Sequence, residues 1–366
     1  MRVVLTGGGT GGHIYPALAL AKQIREHHPD AEILYIGSKK GLEADIVPKA
    51  GIRFQAVEIS GFKRSLSFEN IKTIIRFFRA VSLSKKYIRE FGADAVIGTG
   101  GYVCGPVVYA AHKLGVPSII HEQNVIPGLT NKFLSRYVDR VAVSFTGSAM
   151  YFPKKKVVVT GNPRATEVAK ADPNKGRETL KVNPERKIIL VVGGSRGARA
   201  INEAFLKAVP SLEERKDCHF IYVTGDIHYA KVKETFEERG GIPDNISLYP
   251  FLYNMPEVLA ATDLIVNRAG ASFLAEITAL GIPSILIPSP YVTNNHQEKN
   301  ARWLEENGAA VVIVESDLNE KSLIRAIDKI MEDPIKTKEM RSSARSLGEP
   351  TSAEKVFIQL EQLIQK

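Results

Sequence analysis

A strand–glycine loop–helix opening that occurs twice constrains this chain more than any other feature. VVLTGGGTGGH starts at Val3 and ILVVGGSRGAR at Ile189. A buried apolar run, a glycine loop and a helical pattern together form the start of a parallel β-α-β unit. Two such starts, about 190 residues apart, predict two Rossmann-like units in an α/β chain. The length of 366 residues agrees, because single cores seldom grow beyond roughly 250–300 residues. Further apolar runs predict strands at 2–6, 32–37, 94–98, 117–121 and 139–144, and a second series at 187–192, 219–224, 246–249, 263–267, 283–287 and 310–314. GNPRATEV, at 161–168, breaks the pattern and marks the boundary. Residues 1–163 are therefore expected to form one unit and 164–345 the other. The tail 346–366 ends in a helix with Val356, Leu360, Leu363 and Ile364 on one face.

The first loop contains the dinucleotide spacing G-x-G-x-x-G as Gly7, Gly9 and Gly12. A dinucleotide site also needs an acidic residue after the second strand, for the ribose hydroxyls. That strand, EILYIGSKKG, ends in Lys39 and Lys40, which disfavours NAD and leaves NADP open. A second cluster in the same half, IGTGGYVCGP (97–106), also follows a strand. Two loops of this kind can bring backbone N–H groups and helix dipoles to the phosphates of a single ligand. Tight turns with no ligand are the simpler alternative. In the second half, GGSRGA, NRAGASFLAE and SPYVTNNHQEKNA all follow predicted strands. They offer Ser195, Glu276 and the amide of Gln297, a set suited to a nucleotide sugar.

Charge divides the halves. Residues 1–163 carry a net +11 and the remainder −2. A basic half usually meets an anionic partner. Within it, residues 62–90 hold eight Lys and Arg against two Glu. Ile71, Ile74, Ile75 and Phe78 recur at helical spacing, widened by Phe77 and Val81. This predicts a basic amphipathic helix lying on a membrane surface, with Phe62, Lys63, Arg64, Lys72, Ile75, Arg76, Phe78 and Arg79 as its contacts. The alternative is that the stripe is core. No apolar run reaches the ~18 residues of a membrane span, and VVLT runs straight into the glycine loop without the form of a secretory leader. The chain has two cysteines, Cys104 and Cys218, far apart in sequence. This argues against a disulfide framework and favours a reducing compartment. A nucleic-acid binder would use the basic half, but no stacking motif accompanies it.

GGGTGGH, GTGGYVCGP, HEQN (121–124), GNPR (161–164), GGSRGA, RAGASFLAE and NHQE occur here in one order along most of the chain. In this they resemble the MurG family of cell-wall GlcNAc transferases, glycosyltransferases of the GT-B type. The resemblance implies two Rossmann-like domains facing across a cleft, with the closing helix packed back on the first. It implies inverting transfer of GlcNAc from UDP-GlcNAc to the C4 hydroxyl of MurNAc-pentapeptide on undecaprenyl diphosphate. That step converts lipid I to lipid II in peptidoglycan synthesis, at the cytoplasmic face of the membrane. The implied partners are these two substrates, an anionic phospholipid surface and other cell-wall synthesis proteins, with no cofactor, metal or nucleic acid. By the same resemblance Thr10, Gly11 and Gly12 lie near the transferred sugar, and Gly100, Gly101 and Tyr102 at the acceptor diphosphate. Asn124 and Gln297 would meet the GlcNAc, Arg164 and Ser195 the UDP phosphates, Leu252 the uracil edge, Ala271 the donor through its backbone, and Glu276 the ribose. The chain departs from the family pattern at Arg164, which follows Pro163 directly, and at Phe273, which stands where Thr is common.

Such a transfer needs a base for the acceptor hydroxyl and stabilisation of the leaving diphosphate. His13, at the tip of the first glycine loop, has the side chain suited to neutral-pH proton removal. Acceptor binding and helix capping are its alternatives, and Glu122 and His121 are rival bases. No Asp-x-Asp motif occurs in the sequence. Two other enzyme readings fit parts of the pattern: a UDP-GlcNAc 2-epimerase and an NADP-dependent oxidoreductase. The first leaves the basic half and the 62–90 segment unexplained, and the second is opposed by the missing acidic residue after the second strand and by the nucleotide-sugar set of the second half.

Overall fold

A computed structural model describes residues 1–61, 68–194, 197–292 and 295–365, with the backbone alone for 68–71. The chain divides into two units, one comprising Met1–Thr166 and Thr351–Lys366 and the other Glu167–Pro350.

The first unit is a seven-stranded sheet in the order β3-β2-β1-β4-β5-β6-β7, every neighbouring pair parallel. Its strands are β1 (Arg2–Thr6), β2 (Glu32–Ser38), β3 (Arg53–Val57), β4 (Ala95–Gly98), β5 (Ser118–Glu122), β6 (Arg140–Val143) and β7 (Val157–Val159). Helices α1 (Gly11–His27), α2 (Glu43–Lys49), α3 (Phe68–Phe91), α4 (Cys104–Leu114) and α5 (Leu129–Leu134) connect them. Both faces of the sheet are covered, so its strands read as unbroken apolar runs. Val3, Leu5, Ile97 and Ile119 pack on one side with α1 and with Val356, Phe357 and Leu360 of the closing helix, Ser352–Ile364. Val4, Ile36, Val96 and Ile120 pack on the other with Ala80 and Val81 of α3 and Val107 and Val108 of α4. The closing helix thus belongs to the first unit, as expected. It is fastened to α1 by polar contacts too: His27 to Glu354 at 3.2 Å and His28 to Glu361 at 3.0 Å.

The second unit is a six-stranded parallel sheet, β10-β9-β8-β11-β12-β13. Its strands are β8 (Lys187–Val192), β9 (Cys218–Val223), β10 (Ile246–Tyr249), β11 (Leu264–Asn267), β12 (Ser284–Leu286) and β13 (Ala310–Val312). The two expected Rossmann-like sheets are both present. Two strands of the first sheet, β3 and β7, were not expected, and both lie at its edges.

In each sheet the chain leaves in opposite directions from one central pair, β1 and β4 in the first and β8 and β11 in the second. Loops at the carboxyl ends of such a pair diverge and leave a crevice for a ligand. All the glycine motifs read from the sequence follow one of these four strands.

Candidate active site

In the first unit the loops after β1 and β4 are built as one object. The Gly8 N–H donates to the Gly100 carbonyl at 3.2 Å. The Thr99 hydroxyl donates to the carbonyl of His13 at 2.6 Å, and the Tyr35 hydroxyl to that of Gly7 at 2.7 Å. Burial pushes the Tyr35 hydroxyl well above its ordinary pKa, so it stays a donor. A Cβ on Gly101 would sit 2.3 Å from the Gly8 carbonyl oxygen, and one on Gly100 would sit 2.8 Å from the His13 ring. Gly101 also has φ +85°, which side chains rarely adopt. These glycines therefore let the loops pack on each other. The exposed rim that remains is Gly9, Thr10 and Gly12, with Gly11 and His13 half-buried behind it and Tyr102 exposed beside it. The first N–H groups of a helix have no partner within it, and the start of α1 lies on this rim.

His13 Nδ1 lies 2.9 Å from the Gly8 carbonyl oxygen. A carbonyl only accepts, so this bond assigns the proton to Nδ1. In the neutral ring the basic lone pair is then on Nε2. That tautomer is the one a base at this rim requires.

The rival bases are turned into the protein. His121 is fully buried. Its Nε2–H donates to the Gly161 carbonyl at 2.8 Å and its Nδ1 accepts from Gln123 at 3.0 Å. Burial lowers its pKa to about 4, so it is neutral at working pH. Glu122 is buried as well. One oxygen accepts from the Asn124 N–H at 3.0 Å and its side-chain amide at 3.3 Å; the other accepts from the Gly128 N–H at 3.1 Å and the Asn131 amide at 2.9 Å. Four neutral donors occupy the oxygens a base would use. Glu122 shapes the loop that carries Asn124. Cys104 is equally internal, its thiol pushed up to about 12 by burial and bonded to the Thr6 carbonyl at 3.1 Å.

Arg164 opens the helix Arg164–Ala169, with its guanidinium over the Tyr15 ring of α1 at 5.5 Å. Its backbone N–H donates to the Asn162 side chain at 3.2 Å. The residue thus stands in the first unit, beside α1, whose first turn carries His13.

In the second unit the expected residues follow four strands of one sheet edge. Gly193 and Gly194 follow β8; Ser195 lies outside the described residues. Leu252 follows β10 and is buried. The helix Ala271–Leu280 starts four residues after β11 and presents its N-terminus at the crevice, with Glu276 buried on its inner side. Phe273 lies half-buried in the first turn of this helix. Gln297 lies in the first turn of the helix His296–Glu306, and its side-chain oxygen accepts from the Ser289 N–H at 2.9 Å. Arg268 carries no signal in the sequence. It follows β11 and donates to the carbonyls of Ile287 at 3.1 Å and Pro288 at 3.2 Å while pairing with Glu315. It thereby ties down the residues that directly follow β12. Among the described residues no group of three or more His, Cys, Asp or Glu side chains is placed to hold a metal ion.

The basic helix is α3, shorter than the 62–90 segment, and Phe62, Lys63 and Arg64 lie outside the described residues. Ile74 and Ile75 are about half exposed and Phe78 is 62% exposed, with Lys72, Arg76 and Arg79 exposed among them. Val81 is buried and Phe77 turns inward, 6.4 Å from Phe133 of α5. Among the described side chains of the stripe, Ile74, Ile75 and Phe78 face out while Phe77 and Val81 pack inward. Leu129 of α5, 79% exposed, adds apolar surface that the sequence did not announce.

Residues 3–143 match the glycosyltransferase family 28 N-terminal domain, and residues 188–356 match the C-terminal domain of the same family. The chain belongs to glycosyltransferase family 28. Over 366 residues and the whole of both chains it is 56% identical to the UDP-N-acetylglucosamine–N-acetylmuramyl-(pentapeptide) pyrophosphoryl-undecaprenol N-acetylglucosamine transferase of Bacillus cytotoxicus. Among solved structures, MurG of Acinetobacter baumannii superposes with a TM-score of 0.80 at 29% identity, covering 99% of each chain. The UDP-GlcNAc 2-epimerase of Neisseria meningitidis reaches 0.68 at 13% identity, covering 99% of this chain and 100% of its own, and shares the fold alone.

Proposed function

We propose that this family 28 protein transfers GlcNAc from UDP-GlcNAc to MurNAc-pentapeptide pyrophosphoryl-undecaprenol, attacking through the acceptor's C4 hydroxyl with inversion at the donor carbon. Full-length identity to a transferase of that name carries the substrate pair. The first unit takes the acceptor: its interlocked glycine loops offer N–H groups to a diphosphate, and His13 stands on their rim. The second unit takes the donor, with Glu276 on the ribose, Leu252 at the uracil edge and the helix start at Ala271 toward the diphosphate.

In the reaction His13 Nε2 removes the proton of the acceptor hydroxyl as its oxygen bonds to the sugar carbon. The bond from that carbon to the UDP oxygen breaks, and the electron pair leaves on the diphosphate. The helix start at Ala271 meets the developing charge. The Gly8 carbonyl, held on His13 Nδ1–H, stabilises the imidazolium that forms.

The exposed face of α3 favours work at a membrane surface, which fits an acceptor whose polyprenyl chain stays in the bilayer. No described helix is long and apolar enough to cross a membrane. The protein acts as a peripheral enzyme on the cytoplasmic leaflet, where other cell-wall synthesis proteins meet the same lipid. Labelled UDP-GlcNAc and a short-chain acceptor analogue test the reading. Acceptor-dependent disaccharide supports it; formation of the 2-epimer without acceptor would transfer the chain to the epimerase reading.

A further inference from the structure

Three glycines from three segments close around one carboxylate. A Cβ on Gly8 would lie 2.2 Å from Glu43 Oε1, one on Gly41 2.2 Å from Oε2, and one on Gly37 2.7 Å from Cγ. Glu43 is fully buried at the start of α2. A buried carboxylate is costly unless its oxygens are satisfied. Here Oε1 accepts from the Ser38 N–H at 3.0 Å and the Ser38 hydroxyl at 2.6 Å, and Oε2 accepts from the Gly9 N–H at 3.1 Å. None of these donors is a cation.

The Gly9 contact is the one that reaches the rim. Tyr35 holds the carbonyl of Gly7, Gly100 holds the N–H of Gly8, and Glu43 holds the N–H of Gly9. Three successive residues are thus fixed by three different elements, and immediately beyond them the loop opens to solvent. Because the Gly9 N–H is engaged, an anion arriving at this loop must use the N–H groups of Thr10, Gly11 and Gly12. Those groups lie next to His13 in the chain.

We propose that Glu43 is a positioning residue for transfer: its grip on Gly9 sets the register between the acceptor diphosphate on Thr10–Gly12 and the His13 base. This rests on the reading of the rim as the acceptor site. The role demands a carboxylate. Two backbone N–H groups, of Gly9 and Ser38, point at the two oxygens. An amide has one oxygen, so in Glu43→Gln one of these fixed donors faces an NH2.

The test is steady-state transfer with UDP-GlcNAc and the short-chain acceptor analogue, varying each substrate in turn. Glu43→Gln is expected to lower kcat/KM for the acceptor on the order of tenfold to a hundredfold, the effect of a small misplacement of reacting groups. The UDP affinity, measured by calorimetry, stays within about twofold, since the second unit is untouched. Ser38→Ala keeps the carboxylate but removes its hydroxyl donor. It should show the same split more weakly, and it replaces Glu43→Gln if that variant does not fold. Gly12→Val blocks the rim without touching Glu43 and tests the acceptor site separately. If Gly12→Val leaves the acceptor KM unchanged, the reading of the rim fails and the proposal falls with it. If Gly12→Val raises the acceptor KM while Glu43→Gln and Ser38→Ala leave acceptor kinetics intact, or weaken UDP binding equally, the rim reading stands and the positioning role is overturned.

Discussion

In the first unit the crevice between β1 and β4 rests on buried neutral contacts and one buried carboxylate, and a histidine stands at its rim. In the second, the crevice between β8 and β11 is flanked by longer polar side chains, Glu276, Arg268 and Gln297, drawn from helices and loops further along the chain. The topology is the same and so is the glycine-rich opening. Shared topology fixes where a ligand lies; the groups behind the loops decide which part of the chemistry happens there. On the proposed reading, one loop is held rigid to present backbone N–H groups and the His13 base. On the same reading, the other frames a crevice for a nucleotide sugar whose base and sugar hydroxyls need side-chain partners.

This contrast can be broken by variants that should each affect one side only. The largest effect is expected from His13→Ala. Loss of a general base costs about 10²–10⁴-fold in kcat, and UDP binding by calorimetry should not change. Near-normal turnover would remove the base from the first unit. Next is Arg268→Met, which leaves Glu315 mostly buried and unpaired. Both partners keep some exposure, so about 2–3 kcal/mol of stability should be lost, below the ~3–5 of a fully buried pair. Urea unfolding measures it, with a rise in donor KM as Ile287 and Pro288 lose their anchor. Of comparable or slightly smaller size is a pH effect at His121, whose pKa is about 4 in the fold against an ordinary 6.5. The unfolded chain takes up the proton first as pH falls. The stability from its neutral burial is whole above pH ~6.5 and shrinks toward pH 4, by about 2 kcal/mol between pH 7 and pH 5. His121→Gln should flatten that part of the urea-midpoint profile. The smallest effect per residue belongs to the helix surface. Reversing Lys72, Arg76 and Arg79 to Glu should weaken binding to anionic vesicles by about 1 kcal/mol for each basic residue lost, less at high salt. Turnover of a short-chain soluble acceptor should persist.

The sequence carried the parallel sheets because their central strands are buried on both faces and read as apolar runs. It did not carry β3 and β7. RFQAV mixes charge and amide into an edge strand, and VVV is three residues long behind three lysines. Edge strands have one neighbour and need less apolar length to be held. The outward stripe of α3 was legible because its basic neighbours are incompatible with a core face. Glu43 was not. It reads as an ordinary acidic residue at a helix start, and its contact with Gly9 spans 34 residues. Glu122 misled for a related reason: a carboxylate beside a histidine looks reactive in sequence, while the donors that occupy it come from Asn124, Gly128 and Asn131.

Hydrogen exchange with each substrate added alone tests the division of labour most directly. The acceptor analogue should slow exchange at residues 9–13 and 100–103 and leave the second unit unchanged. UDP should slow it around Leu252, Ala271–Glu276 and Gln297 and leave the two glycine loops of the first unit unchanged. Protection of those glycine loops by UDP alone, or of the Ala271–Glu276 segment by the acceptor alone, would contradict the account.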